Sequence, residues 1–419
     1  MLNNNSQDGL NYSSQVHRCW PGRQGFLWFW WVLAAIWGGL LSCSLAWAAA
    51  PSPAFEKTFG YRQVDRGLTA VATADGCLVA GESLSYYMHG AGEYDAYLAK
   101  LDANGLVKWQ KTYGGAKDDR ILALCPTNDG GCILTGVTQS NPWRTDQDVY
   151  LLKTDAAGQM QWSCNLGGPG EQAGRCVRPT ADGGYIIAGE TTAAGSDNQD
   201  AFLIKTDAAG KLQWEQTFGG PRADAAACVR PTADGGYLLA GTTCSLGTGN
   251  YDIYLIKTDP TGRKLWEKTC GSGGGVSRLE TTEDGGFILA GQICPDGIPA
   301  ACLIKLDSQG QVQWEKSYHG NGWAVGRHVQ ATRRGYLLAG WTLAGDKQGC
   351  HLYLVETDKE GGKLGEKTVP GSKFDERFAV CSTPDGGCLV VGWWADLLTW
   401  LGNNNNDVQV YLAKINVPQ

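Results

Sequence analysis

The chain has 419 residues, 43% of them hydrophobic and only 18% charged, with 59 glycines and a formal net charge of −7. That composition suits short strands and turns, and it speaks against a disordered or helix-rich chain. The acidic balance also argues against nucleic acid as a partner, because a phosphate backbone needs a basic face.

Residues 1–25 are polar, with Arg18 and Arg23 just ahead of an apolar run from Phe26 to Ala50. The run is long enough to span a bilayer. It ends in small residues, however, and Ala46-Trp47-Ala48 fits the A-x-A pattern of an export-signal cleavage site. The expectation is an export signal over residues 1–48, a spacer over 49–54 and a globular part over 55–419. An uncleaved membrane anchor, or lipidation at Cys43 within Leu40-Leu41-Ser42-Cys43, is the alternative. All three readings place the globular part outside the cytoplasm, secreted or held at the cell envelope. They bring it to a membrane only through the N-terminal segment.

From Phe55 onward one unit recurs. Between Trp214 and Trp266 it comprises four apolar or alternating runs separated by turn signals, which predicts four strands and three turns. Asp234-Gly235 predicts a hairpin turn, with glycine supplying a positive φ. Asp259-Pro260-Thr261-Gly262 predicts the next turn. The outer-strand element Trp214-Glu-Gln-Thr-Phe-Gly-Gly, the hairpin turn (an aspartate in six units, Arg333-Arg334-Gly335 in the other) and the third strand (YLAKLD, YLLKTD, FLIKTD, YLIKTD, CLIKLD, YLVETD, YLAKIN) each occur seven times. The spacing is roughly fifty residues, the period of an array or a propeller.

Phase decides between those two. The repeats open with a fourth-strand element, Phe55 to Gly60, and stop after a third-strand element, Tyr411 to Asn416. A ring closed by the N-terminal strand pairs every edge, whereas an open stack leaves two bare. The predicted fold is all-β: a seven-bladed β-propeller with four antiparallel strands per blade, closed by the N-terminal strand.

The motifs W-x-K-T-[FY]-G-G, D-G-G-Y-[IL]-[IL]-A-G and L-I-K-T-D-x-x-G resemble a family of secreted bacterial and archaeal propeller repeats. That family is grouped with the quinoprotein-dehydrogenase-like propellers. The resemblance covers residues 55–419, implies the propeller fold and leaves the function open.

Outside Cys19 and Cys43 the chain holds thirteen cysteines, an odd number that cannot all pair. Cys125 and Cys132 flank one hairpin, and Cys381 and Cys388 flank another at the same offsets. They are candidates for cross-strand disulfides or for buried thiols. No spacing of metal ligands occurs, so no metal is expected, and no cofactor signature is present. Asp155, Asp207 and Asp259 read as turn caps rather than calcium ligands. Asp65, Asp119, Asp224 and Asp375 read as turn residues at the start of each inner strand rather than a catalytic ring.

Two features stand out as candidate sites. Counting back from each hairpin aspartate, the residue five before is always apolar, while those four and six before share the other side. From the third to the sixth unit these positions carry Arg178, Arg230, Arg278, Glu280, His328 and Gln330, with Cys176 and Cys228 among them. Alternation points the set toward the axial channel, where an anion would be welcome. The second feature is aromatic: Tyr86, Tyr87 and His89, then Trp143, Trp323, Trp341, Trp393, Trp394 and Trp400, followed by Asn403 to Asn406. They fall in loops that open on one face of a propeller, a pattern that marks binding surfaces.

The reading that follows is a non-catalytic binding or scaffold propeller outside the cytoplasm, recognising a glycan, a peptide or a cell-surface protein. A quinoprotein-like oxidoreductase or a polysaccharide-cleaving enzyme is the runner-up, although no His-based dyad or repeated acid pair favours it. A structural envelope protein is the third reading.

Overall fold

A computed structural model describes residues 53–61, 64–84, 94–141, 146–193, 198–320, 322–343, 350–369, 378–383, 387–395 and 408–415. The expected export signal or anchor and Cys43 lie outside the described residues. Among those residues every regular element is a strand, and no helix is long and apolar enough to cross a membrane.

The N-terminal strand β1 (Pro53–Phe59) starts two residues ahead of the expected boundary. Four strands follow: β2 (Val64–Thr73), β3 (Gly76–Leu84), β4 (Tyr94–Asp102) and β5 (Val107–Tyr113). The second unit holds β6 (Asp119–Pro126), β7 (Cys132–Thr138), β8 (Asp148–Thr154) and β9 (Met160–Leu166). The third holds β10 (Gly170–Pro179), β11 (Tyr185–Ala193), β12 (Gln199–Thr206) and β13 (Leu212–Phe218). Next come β14 (Asp224–Pro231), β15 (Tyr237–Thr243), β16 (Asp252–Thr258) and β17 (Lys264–Cys270). The fifth unit holds β18 (Gly275–Thr281), β19 (Phe287–Ile293), β20 (Ala300–Leu306) and β21 (Val312–Tyr318). The sixth holds β22 (Ala324–Ala331), β23 (Gly335–Leu343), β24 (Cys350–Asp358) and β25 (Lys363–Val369). The chain ends in β26 (Ala379–Ser382), β27 (Cys388–Ala395) and β28 (Val408–Ile415).

Five units form antiparallel four-stranded sheets in chain order, and the remaining eight strands are joined in one larger sheet. In that sheet β1 lies antiparallel to β28, with Lys57 opposite Leu412 and Phe59 opposite Val410. A parallel bridge between Val64 and Val408 connects β28 to β2.

The turns form as the sequence predicts. Gly235 has φ 82° and its N–H donates to the Thr232 carbonyl, while Gly236 N–H donates to the Asp234 carboxylate at 3.1 Å. In the following turn Asp259 accepts from the amides of Thr261 (2.9 Å) and Arg263 (3.0 Å). Asp155 and Asp207 do the same in their units, so these aspartates are turn caps. Asp119 and Asp224 each accept from a glycine amide four residues earlier, Gly115 at 2.7 Å and Gly220 at 2.8 Å. Asp375 lies outside the described residues.

Among the described residues, four hairpin aspartates are also tied to a buried lysine of the third strand. Lys153 meets Asp129 at 2.7 Å, Lys205 meets Asp182 at 2.7 Å, Lys257 meets Asp234 at 2.9 Å and Lys305 meets Asp284 at 2.7 Å. The sixth unit, whose hairpin departs from the repeat, swaps the charges: Arg334 pairs with Glu356 at 3.3 Å. Position and pairing survive while both signs invert.

Both faces of the sheets are covered by neighbouring sheets, and the apolar clusters lie between them. One cluster joins Cys176, Ala188 and Leu203 of the third unit to Val229, Leu239 and Ile256 of the fourth. Another joins Val79, Tyr97 and Leu101 of the first unit to Leu389, Val391 and Leu412 near the C-terminus. In five units a tryptophan near the start of the outer strand crosses this gap. Trp214 covers Gly262 of the next unit so closely that a Cβ there would sit 2.5 Å from the ring, and Gly262 has φ 82°. Glycine is needed on both counts. Trp109, Trp162, Trp266 and Trp314 cover Gly158, Gly210, Gly310 and Gly361 in the same way. Phe55 of β1 covers Gly105 of the first unit and so takes the place a tryptophan holds elsewhere.

The two readings of the cysteines are decided here. None of the thirteen cysteines of the described residues is in a disulfide. Register explains it: Cys125 lies opposite Ile133 and Cys132 opposite Pro126, so the pair is one step out and faces two different clusters. Cys381 lies opposite Leu389, and Cys388 opposite Ser382. Alternation along the inner strands also divides side chains between the two neighbouring sheets. Val229 packs into the cluster shared with the third unit and Cys228 into the one shared with the fifth.

Deleting residues 53–60 removes the β1 ladder and uncovers the edge of β28. Thermal melts should show loss of a large share of the ~5–15 kcal/mol typical of a domain, or aggregation; an unchanged melting temperature would contradict the role of β1. Glu356→Lys and Arg334→Asp should each destabilise alone, and together recreate the pairing of the other units. We expect a favourable coupling of about 1 kcal/mol, kept low because the Arg334 side chain is 57% exposed. Strict additivity in urea unfolding would mean that the two charges do not interact.

Candidate functional site

The inner strands carry a bulge just ahead of the candidate positions. In β14 the register slips between Ala226 and Cys228, and the same slip occurs between Gly174 and Cys176, Val276 and Arg278, and Gly326 and His328. The second strand makes room with a glycine. A Cβ on Gly241 would lie 1.9 Å from the Ala225 carbonyl oxygen. The repeated A-G of the sequence is therefore the imprint of this bulge. The extra residue turns Cys228 and Arg230 toward the following sheet.

Across that gap the arginines meet. Arg230 donates through Nε to the Leu279 carbonyl at 2.9 Å, and through Nη2 to Glu280. Arg278 holds the other oxygen of Glu280 at 2.7 Å. Burial alone would push the Glu280 carboxyl up, but the guanidiniums of Arg278, Arg230 and Arg178 outweigh it and hold the group below its ordinary value. Glu280 is thus an anion shared by its cationic neighbours.

Arg178 differs. It is 9% exposed, donates through Nη1 to the carbonyl of Val177 at 2.8 Å, and leaves Nε without a partner. Among the described residues no carboxylate stands within ion-pair distance of it. The Val229 carbonyl, which corresponds to the Leu279 oxygen bonded by Arg230, is met by the Cys176 sulfur at 3.9 Å. Even with Cys176 ionised, three guanidiniums face two anions, and one positive charge is left over.

His328 completes the cluster on β22, buried against Arg278, Glu280 and Arg230. Burial first, then the Arg278 charge, lowers its imidazole to about 3. The ring is neutral at physiological pH. Gln330, two residues on, is half-buried. Among the described residues no group of three or more His, Cys, Asp or Glu side chains is placed to hold a metal ion.

Of the aromatic set, only Trp323 and Trp341 have side chains among the described residues. Trp341 is 5% exposed and packs among Val325, Leu352 and Val380. Its place is corrected from binding face to core, because β23 runs between two covering sheets. Trp323 is half-buried against it, with ring centroids 6.2 Å apart. Trp393 and Trp394 lie on β27 opposite Val410 and Gln409, with side chains outside the described residues. Tyr86, Tyr87, His89, Trp143, Trp400 and Asn403 to Asn406 also lie outside the described residues.

One cluster was not anticipated. Glu82, buried, is held by Arg66 at 2.6 Å and Arg120 at 2.9 Å, and both guanidiniums lie over the Tyr94 ring, 5.3 and 5.5 Å from its centroid. Arg120 also pairs with Asp118 at 2.9 Å. Two cations balance two anions here, so this cluster has no charge to offer a ligand. The signal was the Asp-Arg dipeptide at 65–66 and again at 119–120.

His328 yields a pH dependence. Unfolded, an imidazole takes up its proton near 6.5, but in the fold it waits until about 3. Its contribution to stability is therefore lost as pH falls from 6.5 toward 3, at up to about 1.4 kcal/mol per pH unit. NMR should show no titration of this ring between pH 5 and 8, and His328→Gln should flatten the acid limb of the stability curve. A ring that titrates near 6.5 would overturn this environment.

No family model matches the chain. The regulatory protein FlaEY of Caulobacter vibrioides is 28% identical over an alignment of 160 residues that covers 32% of this chain and 17% of that protein. The similarity therefore spans less than a fifth of that relative's length. Among solved structures the chain is similar to a streptogramin B lyase, with TM-score 0.54 and 11% identity over 86% of this chain and 98% of that one. It is also similar to the Pan2 WD40 domain of Neurospora crassa, with TM-score 0.50 and 11% identity over 84% and 90% of the two chains. At these identities the likeness is one of fold: the chain is a β-propeller.

Proposed function

We propose that this chain is a seven-bladed propeller, closed by its N-terminal strand, that acts outside the cytoplasm as a non-catalytic binding module. Its ligand is the anionic group of a glycan, a peptide or a cell-surface protein, held by Arg178 with Arg230 and Arg278. In this reading the eight-stranded sheet counts as two blades meeting at the Val64–Val408 bridge. The antiparallel β1–β28 ladder is the closure. The export reading rests on the N-terminal sequence alone.

The observation that carries the binding site is Arg178, a buried guanidinium with no carboxylate partner among the described residues. Burying a cation is costly unless it is paired, so a site with one uncompensated positive charge favours an anion. The same cluster is poorly suited to acid–base chemistry. A general base for neutral pH wants a pKa near 7, whereas His328 is lowered to about 3 and Glu280 is held down by its arginines. No cofactor is needed for this role.

Inorganic phosphate, added at constant ionic strength, tests the site. At a hundredfold excess over Kd it should stabilise the wild type by about 2.7 kcal/mol. Arg178→Gln, which keeps the volume and removes the charge, should lose most of that gain. Equal stabilisation of both proteins would place the anion elsewhere.

A further inference from the structure

Just past three of the outer strands stands a glycine on which polar side chains of two adjoining sheets converge. A Cβ on Gly219, after β13, would lie 2.2 Å from Asp200 Oδ1 and 2.9 Å from Asp224 Oδ2. Asp224 is 1% exposed. Its Oδ2 accepts from the Gly220 amide at 2.8 Å and the Ser245 hydroxyl at 2.6 Å, while its Oδ1 has no hydrogen-bond partner. Asp200 Oδ1 is buried and has none either. Asp95 and Asp119 meet at Gly114 in the same manner, at 2.8 and 2.5 Å. At the junction between these two, Asp148 Oδ1 and Gln172 Oε1 would lie 2.5 and 2.4 Å from a Cβ on Gly167. There an uncharged amide, 4% exposed, takes the place of Asp224.

We propose that Asp200 and Asp224 share one proton and so form a latch between the third and fourth sheets that holds in acid and loosens as pH rises. Protonated, Asp200 donates its O–H to Asp224, and the pair carries one negative charge. Raising the pH removes that proton to solvent and leaves two anions facing each other, which is costly where water is excluded. Asp148 and Gln172 keep the same arrangement with one charge and an amide that cannot ionise.

The surroundings supply no counter-charge. Opposite Asp200 on β11 stands Thr191, and opposite Asp224 on β15 stands Thr243. Tyr254 of β16 gives its hydroxyl to Glu267 of β17, and Arg222, two residues before Asp224, turns its guanidinium to the Gly249 carbonyl at 2.9 Å. Burial first, then the Asp224 charge, push the Asp200 carboxyl above its ordinary value. A carboxyl raised by folding adds stability that is fully present below the ordinary carboxylate range and is lost as pH rises through the raised value. His328 has the opposite sign, its contribution being lost as pH falls. The inference does not depend on anion binding at Arg178, since it needs only the two carboxylates.

Thermal melts of the full chain from pH 4 to pH 9, at constant ionic strength and in EDTA, test the latch. Asp200→Asn keeps the shape of the protonated acid and cannot ionise. Its melting temperature should match the wild type at pH 4 and exceed it by about 2 °C at pH 8. Gln172→Glu builds a second acid pair at the neighbouring junction and should do the reverse, equal to the wild type in acid and lower at pH 8. A gap between Asp200→Asn and the wild type that stays constant with pH overturns the proposal, as does an Asp200→Asn protein less stable than the wild type at pH 8. If millimolar calcium in place of EDTA stabilises the wild type at pH 8 and leaves Asp200→Asn unmoved, the pair holds a metal ion instead of a proton, and the proposal is overturned. Should Asp200→Asn fail to fold, the pH dependence of Gln172→Glu decides by itself.

Discussion

The fold depends on one contact repeated between neighbouring sheets: an outer-strand aromatic ring laid on a turn glycine of the next unit. Trp109 on Gly158, Trp162 on Gly210 and Trp214 on Gly262 leave no space for a Cβ, and the turn itself needs a positive φ. The contact sets the order in which sheets stack and seals the outer end of each apolar cluster. It also explains why the N-terminal segment belongs to the last sheet: Phe55 reaches Gly105 while its strand pairs with β28. A strand from the start of the chain thus supplies what the C-terminal strands lack.

Within that frame the inner strands serve as a scaffold for charge. The bulge, made possible by Gly241 and its counterparts, turns two side chains per strand toward the neighbouring sheet. Where those side chains are alanines, as at Ala70 and Ala379, they complete apolar packing. Where they are arginines they meet across the gap, and Glu280 neutralises only part of their charge. The same bulge directs the Cys228 sulfur to the Ser277 carbonyl of the next sheet at 3.5 Å. Far from the cluster, a hairpin aspartate and a third-strand lysine tie the turns together in four of the units, and Arg334–Glu356 keeps the pairing with the signs exchanged.

Much of this was legible in the residues. Turn glycines, hairpin aspartates and the strand count follow from local chemistry, and the spare N-terminal element pointed to β1 pairing with β28. What alternation left undecided was what lies on the far side of a strand. Period two separates two faces, but in a stack of sheets both faces are covered. Cys228, His328 and Trp341 are therefore buried rather than open to a channel or a surface. The disulfide candidates failed for a related reason: Cys125 stands four residues before Asp129 and Cys132 three after it, and the five-residue turn leaves them one step out of register. Arg178 was picked out by its position, whereas its lack of a carboxylate partner needed the neighbouring sheet to be seen.

The central claim is that a net positive charge among Arg178, Arg230 and Arg278 exists to receive an anion. A crystal structure grown with selenate tests it most directly, because selenium can be located by its anomalous signal. The account expects a peak within hydrogen-bonding distance of Arg178, with Glu280 still held by Arg230 and Arg278. Selenate ordered elsewhere on the protein, with only water beside Arg178, would contradict it.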